Sequence, residues 1–336
     1  MSSKQGKLTA SAPGRAGIIG NPSDMYGGSV LACSLPMRAW AILTPASGLT
    51  LVTDGQECEI GNWDDLRPAG DLFDIAKAVL RYIQPRPLAC RIEYGSDIPR
   101  HSGMAGSTAL MVALLNVLLT WQGRRLGRYQ LAEMARYIEL NHLRVVCGYQ
   151  DAYMTTFGGL NYLDFRGKQF YRRAEAELFA TVESLNPFVE QLPFVLAYTG
   201  VAHSSGAVHK PIRERWLEGE QEVVAAYDRI SELARMGKKA ILQGDWRELG
   251  QLMNENHRIQ RDVGGSGLSN ERLIEAALDG GALGAKLAGA GDGGTIIALF
   301  PNLDDQALEL ALMAAGAEAI YHLALSEGTT VTEEDI

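Results

Sequence analysis

The spacing of apolar residues alternates between the two-residue period of strands and the longer period of helices. Extended segments are predicted at residues 29–43, 49–53, 57–60, 88–94, 160–165, 194–198 and 295–300. Helical spacing predicts helices at residues 71–83, 109–119, 131–143, 208–256, 270–278 and 303–316. Thr9–Ile19 is rich in small and apolar residues but is interrupted by Pro13-Gly14. Because strands come first and helix–strand mixtures follow, we expect an α+β protein in two lobes, divided near Leu192.

The clearest local pattern is a loop of small residues, Ser102–Thr108, that leads into the apolar run Ala109–Leu119. The first amides of a helix have no intrahelical partner and carry partial positive charge. Small residues let an anion approach them, which favours a phosphate, and the hydroxyls of Ser107 and Thr108 could hold a bound metal. However, such loops are common before helices, and this one is neither a Walker loop nor a dinucleotide fingerprint.

Two further glycine-rich segments lie near the two ends of the chain. Residues 13–28 contain Arg15, Asn21, Ser23 and Asp24 among turn residues. These side chains could hold the hydroxyl groups of a polar ligand, or they could form a surface turn that bonds its own backbone. Residues 288–294 form a loop built for close backbone approach, which could equally be a tight hairpin. We call residues 13–28, 99–109 and 288–294 the first, second and third glycine segments.

Two carboxylates stand in apolar surroundings. Asp151 follows the predicted helix at 131–143 and could act as a general base, although capping a helix is a commoner use of aspartate. Glu139 lies on that helix between Ile138 and Leu140. A carboxylate on a helix that packs inward needs a partner, and a cation is a suitable one.

The composition and net charge limit the classes of partner that the protein could bind. The chain has 336 residues and a net charge of −9, which disfavours nucleic acid but leaves room for a local cationic pocket. The cysteine spacing suggests neither a zinc site nor a redox pair. The polar start, Met1–Ala10, does not resemble a signal peptide, and the run at 109–119 is too short to span a membrane. We expect a cytoplasmic protein with no nucleic-acid or membrane partner.

Taken together, the three glycine segments resemble in order and spacing the signature motifs of the GHMP kinase superfamily. The matching positions are Pro13, Gly14, Arg15 and Gly20; Pro99 and Gly103 through Ala109; and Gly289, Gly291, Gly293 and Gly294. Within the superfamily, Gly148–Asp151 followed by Phe157–Tyr162 is similar to heptose-7-phosphate 1-kinases and glucuronokinases. Gly20–Asp24 is similar to glucuronokinases, which makes a glucuronokinase-like sugar-1-kinase the best match.

This resemblance implies a two-lobed GHMP kinase fold. Residues 1–192 would form an ATP-binding and catalytic lobe like domain 2 of ribosomal protein S5, and residues 193–336 a ferredoxin-like α/β lobe. The implied cofactors are ATP and Mg²⁺. The resemblance assigns the ATP phosphates to Pro99, Ser102, Gly103, Met104, Ala105, Gly106, Ser107 and Thr108. It assigns the metal to Ser107 and Glu139.

The resemblance also implies the chemistry at the acceptor. Asp151 would accept the proton of the anomeric hydroxyl or stabilise it, and Arg15 would neutralise charge or keep Asp151 ionised. Both, with Asn21, Ser23, Asp24 and Gly291, would contact the sugar. A uronate carboxylate would need a cation, for which the candidates are Arg100, His101, His203, His209 and Lys210. Trp63 is suggested for the adenine, and a monomer or a homodimer is expected.

Other acceptors and one non-enzymatic role stay open. The chain could instead be a heptose-7-phosphate 1-kinase, a galactokinase-like enzyme or a mevalonate-type kinase. It could also be a non-catalytic relative that binds a sugar or a nucleotide. The joint presence of Ser107, Glu139 and Asp151 argues against the non-catalytic reading.

Overall fold

The computed structural model describes residues 6–84, 89–168, 178–201, 205–301 and 306–334. Its strands are β1 (Lys7–Ile19), β2 (Ser29–Pro45), β3 (Leu49–Thr53), β4 (Gln56–Ile60), β5 (Cys90–Ser96), β6 (Leu160–Asp164), β7 (Thr181–Ser184), β8 (Phe194–Tyr198), β9 (Gly284–Leu287), β10 (Thr295–Leu299), β11 (Ala319–His322) and β12 (Thr330–Glu334). Its α-helices are α1 (Asp74–Ile83), α2 (Gly106–Trp121), α3 (Arg128–Asn141), α4 (Gln150–Phe157), α5 (Ser205–Leu217), α6 (Gln221–Gln243), α7 (Trp246–Asp262), α8 (Leu268–Asp279) and α9 (Gln306–Ala314). Short 3₁₀ helices lie at Ser23–Tyr26, Trp63–Leu66 and Asn186–Phe188.

The strands form two sheets. The first has the order β12-β1-β2-β5-β3-β4, with β6 and β7 joined through β2, and its pairs are antiparallel except β3 with β5. The second has the order β11-β8-β10-β9 and is antiparallel throughout. This mixed α/β architecture confirms the predicted fold class.

Helix α2 lies at the centre of the main core. It packs on β1 and β2 of the first sheet and against α1, α3 and α4. Most of its residues are fully buried, as its continuous apolar sequence predicts. Helices α6 and α7 contact β1 of the first sheet, while α7 also packs on β9 of the second sheet. The two sheets are therefore joined around the end of β1, where the first glycine segment begins its turn.

The structure departs from the sequence prediction in three places. Strand β1 continues through Pro13-Gly14, because register shifts between Pro13 and Arg15 absorb the irregularity. The helical stretch at 208–256 is divided among α5, α6 and α7, and the sequence analysis does not predict the short helix α4 or the short strands β7, β9, β11 and β12. Strand β12, which the division at Leu192 assigns to the C-terminal lobe, pairs with β1 of the first sheet. In the described part of the chain, no helix is long and apolar enough to cross a membrane.

Candidate active site

The three glycine segments meet through their backbones. The Arg15 amide donates to the Met104 carbonyl at 3.1 Å, which joins the first segment to the second. The Gly17 amide donates to the Ala288 carbonyl at 3.0 Å, which joins the first to the third. A Cβ at Gly289 would lie 2.7 Å from the Gly103 carbonyl oxygen, so the second and third segments approach as only glycine allows.

The second glycine segment ends in the N-terminus of α2. Ala105 precedes the helix in the left-handed region, with φ of 61°, and provides no side-chain cap. The first amides of α2 therefore lack an intrahelical acceptor, and the helix dipole adds partial positive charge there. Ser107 is exposed in the first turn, while Thr108 is buried. This arrangement can receive an anion.

Glu139 on α3 faces this helix start. Its buried carboxylate accepts a hydrogen bond from Thr108 Oγ1, at 3.3 and 3.1 Å from its two oxygens. Burial, followed by the negative charge of Asp151, raises the pKa of Glu139 to about 7, although the hydrogen bond from Thr108 lowers it. The carboxylate thus lies where negative charge is poorly compensated.

These donors fit a magnesium ion. Mg²⁺ takes oxygen ligands and is commonly held by one or two carboxylates together with substrate phosphates. Glu139 offers a carboxylate that a cation would stabilise, and Ser107 and Thr108 offer hydroxyls beside the helix start. Among the described residues, no cluster of three or more His, Cys, Asp or Glu could hold a metal alone. A magnesium ion here would complete its coordination with water and with the oxygen atoms of a bound phosphate.

Asp151 lies in the first turn of α4, and its partner is Arg15 on β1. Nε and Nη2 of Arg15 lie 2.8 and 2.6 Å from Asp151 Oδ1, and Nη1 donates to the Gly103 carbonyl. The Arg15 side chain is 9% exposed and that of Asp151 is 33% exposed. Arg15 therefore connects the carboxylate to the second glycine segment, while leaving the carboxylate open to solvent.

Asp24 stabilises α4 from outside that helix. Its Oδ2 accepts hydrogen bonds from the amides of Tyr149, at 2.7 Å, and Gln150, at 2.9 Å. Tyr149 itself gives α4 no side-chain cap, so Asp24 takes that role. A Cβ at Gly148 would lie 2.0 Å from Asp24 Oδ2, which explains the glycine there. Burial raises the pKa of Asp24, although the amide bond from Gln150 lowers it.

The remaining proposed sugar contacts are buried, and the side chains of Asn21 and Ser23 already have protein partners. Asn21 Oδ1 accepts from Lys286 Nζ at 2.7 Å, and Asn21 Nδ2 donates to the Gly289 carbonyl at 3.3 Å. The Ser23 hydroxyl donates to the Ser29 carbonyl at 3.0 Å. Gly291 has φ of 95° and lies in the third glycine segment.

One site residue was not singled out by the sequence analysis, and one predicted residue has a contact that the sequence did not specify. Lys286 on β9 is fully buried beside Asn21, and its position just before the third glycine segment was the available signal. Thr108, which the sequence analysis names beside Ser107 as a possible metal ligand, is the residue that contacts Glu139, because the helix begins at Gly106 and turns the two side chains in different directions. The helix start at Gly106 rather than Ala109 could not be judged from apolar spacing alone.

The candidate cations for a carboxylate are dispersed. Arg100 pairs with Asp54 across the surface, and Lys210 is exposed. His209 is buried on α5, and His101 has a left-handed backbone in the second glycine segment. His203 lies outside the described residues.

Comparison with known families gives matches to three profiles. Residues 72–159 match the GHMP kinases N terminal domain, and residues 238–316 match the GHMP kinases C terminal domain. Residues 2–45, which include the whole first glycine segment, match the galactokinase galactose-binding signature. The three matches follow one another along the chain.

Individual relatives agree with these profiles. The probable glucuronokinase 2 of Arabidopsis thaliana is 29% identical over 86% of this chain and 83% of its own length. The D-glycero-alpha-D-manno-heptose 7-phosphate kinase of Campylobacter jejuni is 26% identical over 85% of this chain and 87% of its own. A crystal structure of a D-glycero-D-manno-heptose 1-phosphate kinase from Bacteroides thetaiotaomicron has the same fold, with a TM-score of 0.75, 21% identity and coverage of 97% and 99%. Matched in both its N-terminal and its C-terminal domain, the chain belongs to the GHMP kinase family.

Proposed function

We propose that this protein is an ATP-dependent kinase that phosphorylates the anomeric (C1) hydroxyl of D-glucuronate to give glucuronate 1-phosphate. The observation that carries the proposal is the Arg15–Asp151 pair, which joins a partly exposed carboxylate to the backbone of the second glycine segment. A carboxylate beside an anion-binding helix start is what transfer of a phosphoryl group to an alcohol requires.

The phosphate site in this proposal is formed by Pro99 and Ser102–Thr108. The unpaired amides of the first turn of α2 would receive the phosphates of ATP, and Arg15 would add positive charge beside Gly103. Ser107 and Glu139 would hold Mg²⁺, with Thr108 keeping the Glu139 carboxylate in place. When bound, the metal would supply charge neutralisation on the phosphate oxygens. The adenine would lie towards Trp63, which lines a cavity of about 470 Å³ with Arg67, Arg81 and His142.

Asp151 would accept the proton of the C1 hydroxyl as its oxygen attacks the γ-phosphorus. The bond from that phosphorus to the bridging oxygen breaks, and ADP leaves with the electron pair. Arg15 holds Asp151 in position through two nitrogen atoms and places a positive charge beside it. Asn21, Ser23, Asp24 and Gly291 would form the wall that faces the sugar.

A heptose 7-phosphate is the second candidate substrate. The relative from Campylobacter jejuni, named as a heptose 7-phosphate kinase, is 26% identical over 85% of the chain. Both candidate sugars carry an anionic group away from C1, so both require a cation on the distal side of the site.

A panel of acceptors tests the proposal. ADP release is measured in a coupled assay with D-glucuronate, D-glucose, D-galactose, a heptose 7-phosphate and mevalonate. We expect the highest kcat/KM with D-glucuronate and a product phosphorylated at C1. A preference for the heptose 7-phosphate would establish the second candidate. ATP binding without turnover of any acceptor would support a non-catalytic relative.

Replacing the proposed base tests the mechanism. Asp151→Asn keeps the size of the side chain but cannot take a proton, so kcat should fall by about 10²–10⁴-fold. ATP affinity, measured by calorimetry, should stay within about threefold. Asp71→Asn is the matched control, because Asp71 also pairs with a basic residue, at 2.8 Å from Nζ of Lys77. Lys77 lies on α1, which carries none of the proposed site residues. Full activity of Asp151→Asn would refute the assigned base.

A further inference from the structure

Lys286 is a buried cation at the junction of three elements. Its side chain starts on β9, and Nζ lies 2.7 Å from Asn21 Oδ1 in the first glycine segment. Nζ also donates to the carbonyl of Leu287. Gln260 of α7 approaches the same region, with Nε2 3.5 Å from the Gly289 carbonyl that also accepts from Asn21.

The ammonium group determines which way the Asn21 amide faces. With Lys286 donating to Oδ1, the amide nitrogen points at the Gly289 carbonyl, and both contacts pair a donor with an acceptor. In the flipped amide, two donors would face each other at Lys286 and two carbonyl oxygens would face each other at Gly289. A neutral apolar side chain at position 286 would remove one of the two contacts that select this orientation and leave only the 3.3 Å bond to Gly289.

The surroundings of Lys286 disfavour a positive charge, which is unusual for a residue with a purely structural role. Lys286 is 0% exposed, and the charged groups that act on it include Arg15 from β1, a like charge. Burial, and then Arg15, lower the pKa of Lys286 to about 7. Lys286 also acts on His257 of α7, whose pKa is lowered chiefly by burial and further by the charge of Lys286. Groups kept under such unfavourable conditions are concentrated at functional sites.

We propose that Lys286 is a positioning residue that fixes the Asn21 amide and so holds the first glycine segment against the third across the two sheets. Its role rests on the proposed function, because it prepares the wall that receives the sugar. It acts through Asn21 rather than by touching the substrate.

Amide exchange of residues 20–28 measures this positioning directly. The amides of Gly20, Ser23 and Gly28 are hydrogen-bonded within or against this turn, so they report its opening. In Lys286→Met, which keeps the length of the side chain but cannot donate, we expect their hydrogen–deuterium exchange to quicken about tenfold. Lys77→Met is the matched control, since Lys77 is also buried but pairs with Asp71 rather than with the first glycine segment. In that variant, residues 20–28 should exchange as they do in wild type.

Kinetics separate positioning from direct recognition. We expect Lys286→Met to raise the KM for the sugar about tenfold and the KM for ATP less than threefold. Lys286→Gln, which can still donate to Asn21, should recover at least half of the loss on a logarithmic scale. The double variant with Asn21→Ala should be no worse than Asn21→Ala alone, because the lysine acts through that amide.

Each failure has a distinct meaning. Unchanged amide exchange at residues 20–28 in folded Lys286→Met would overturn the inference. An equal rise in the KM for the sugar in Lys286→Gln and Lys286→Met would overturn it as well. If Lys286→Met does not fold, the Gln variant carries both measurements. If wild type turns over none of the acceptors, the proposed function has failed, and the exchange experiment still decides the role of Lys286.

Discussion

Asp24 is a single carboxylate that holds the start of α4, the helix that carries the proposed base Asp151. It accepts hydrogen bonds from the amides of Tyr149 and Gln150, the two residues that precede Asp151 at the start of α4. Asp24→Ala would leave both amides buried without an acceptor, and we expect it to lower the free energy of unfolding by about 2 kcal/mol. It should also lower kcat at least tenfold, because Asp151 shifts with the helix.

The comparison is with Asp245, an exposed residue that caps α7 by accepting from the Glu248 amide at 3.0 Å. Asp245→Ala should cost about 1 kcal/mol and leave kcat unchanged. Urea unfolding and steady-state kinetics measure both variants. Equal effects of the two on kcat would show that capping α4 has no special role in the reaction.

Lys286 gives a prediction for stability against pH. The pKa of Lys286 is about 7 in the folded chain, compared with the ordinary lysine value of about 10.5 in the unfolded chain. Between these values the unfolded chain holds a proton that the folded chain lacks, so raising the pH stabilises the fold. We therefore expect wild type to gain stability over Lys286→Met as the pH rises from 7 to 10. Urea titrations at several pH values measure this difference, and a constant difference would contradict it.

Sequence reasoning could identify Arg15, Glu139 and Asp151 because each stands in a motif or in an unusual apolar setting. The resemblance implied that Arg15 acts on Asp151, and the structure pairs them, but sequence reasoning could not assign the other partners. The bond from Thr108 to Glu139 depends on where α2 begins, and that from Lys286 to Asn21 joins residues far apart in the chain. Such pairings are decided by tertiary packing, which local spacing does not report.

At the level of elements, the start of α2 combines helix amides that have no side-chain cap with backbone strain. Ala105 is left-handed, a conformation that costs a residue with a Cβ about 1 kcal/mol or more. We expect Ala105→Gly to raise the free energy of unfolding by roughly 0.5–1 kcal/mol, since relief of this strain exceeds the added entropy of the unfolded chain. Thermal and urea unfolding measure the change.

Ala109→Gly, the same substitution four residues after Ala105, is the control. Ala109 lies inside the first turns of α2 and is fully buried, so Ala109→Gly should destabilise the protein by about 1 kcal/mol or more. A destabilised Ala105→Gly variant would mean that the methyl group of Ala105 contributes packing that outweighs the strain.

On the scale of the whole molecule, the C-terminal segment returns to the first sheet and passes behind α4. Arg38 donates from Nη1 to Ser326 Oγ, at 2.6 Å, and to the Glu327 carbonyl, at 2.8 Å. The Thr329 amide donates to the Thr156 carbonyl at 3.0 Å, and β12 pairs with β1. The polar sequence of β12 carries no strand signal of its own, so its pairing with residues 7–11 could not be predicted. Most other elements were predictable, because their apolar spacing repeats over many residues.

This return strand should influence catalysis through α4. Gly328 lies so close to the end of α4 that a Cβ there would be 2.1 Å from the Thr156 carbonyl oxygen. Gly328→Ala must therefore push the segment away from the helix, and we expect a loss of about 2 kcal/mol in stability and a kcat lowered severalfold. Gly48→Ala is the control, because no atom lies within 4 Å of the Cβ it would add. If Gly328→Ala lowers stability but leaves kcat equal to that of Gly48→Ala, the segment stabilises the fold without setting the position of Asp151.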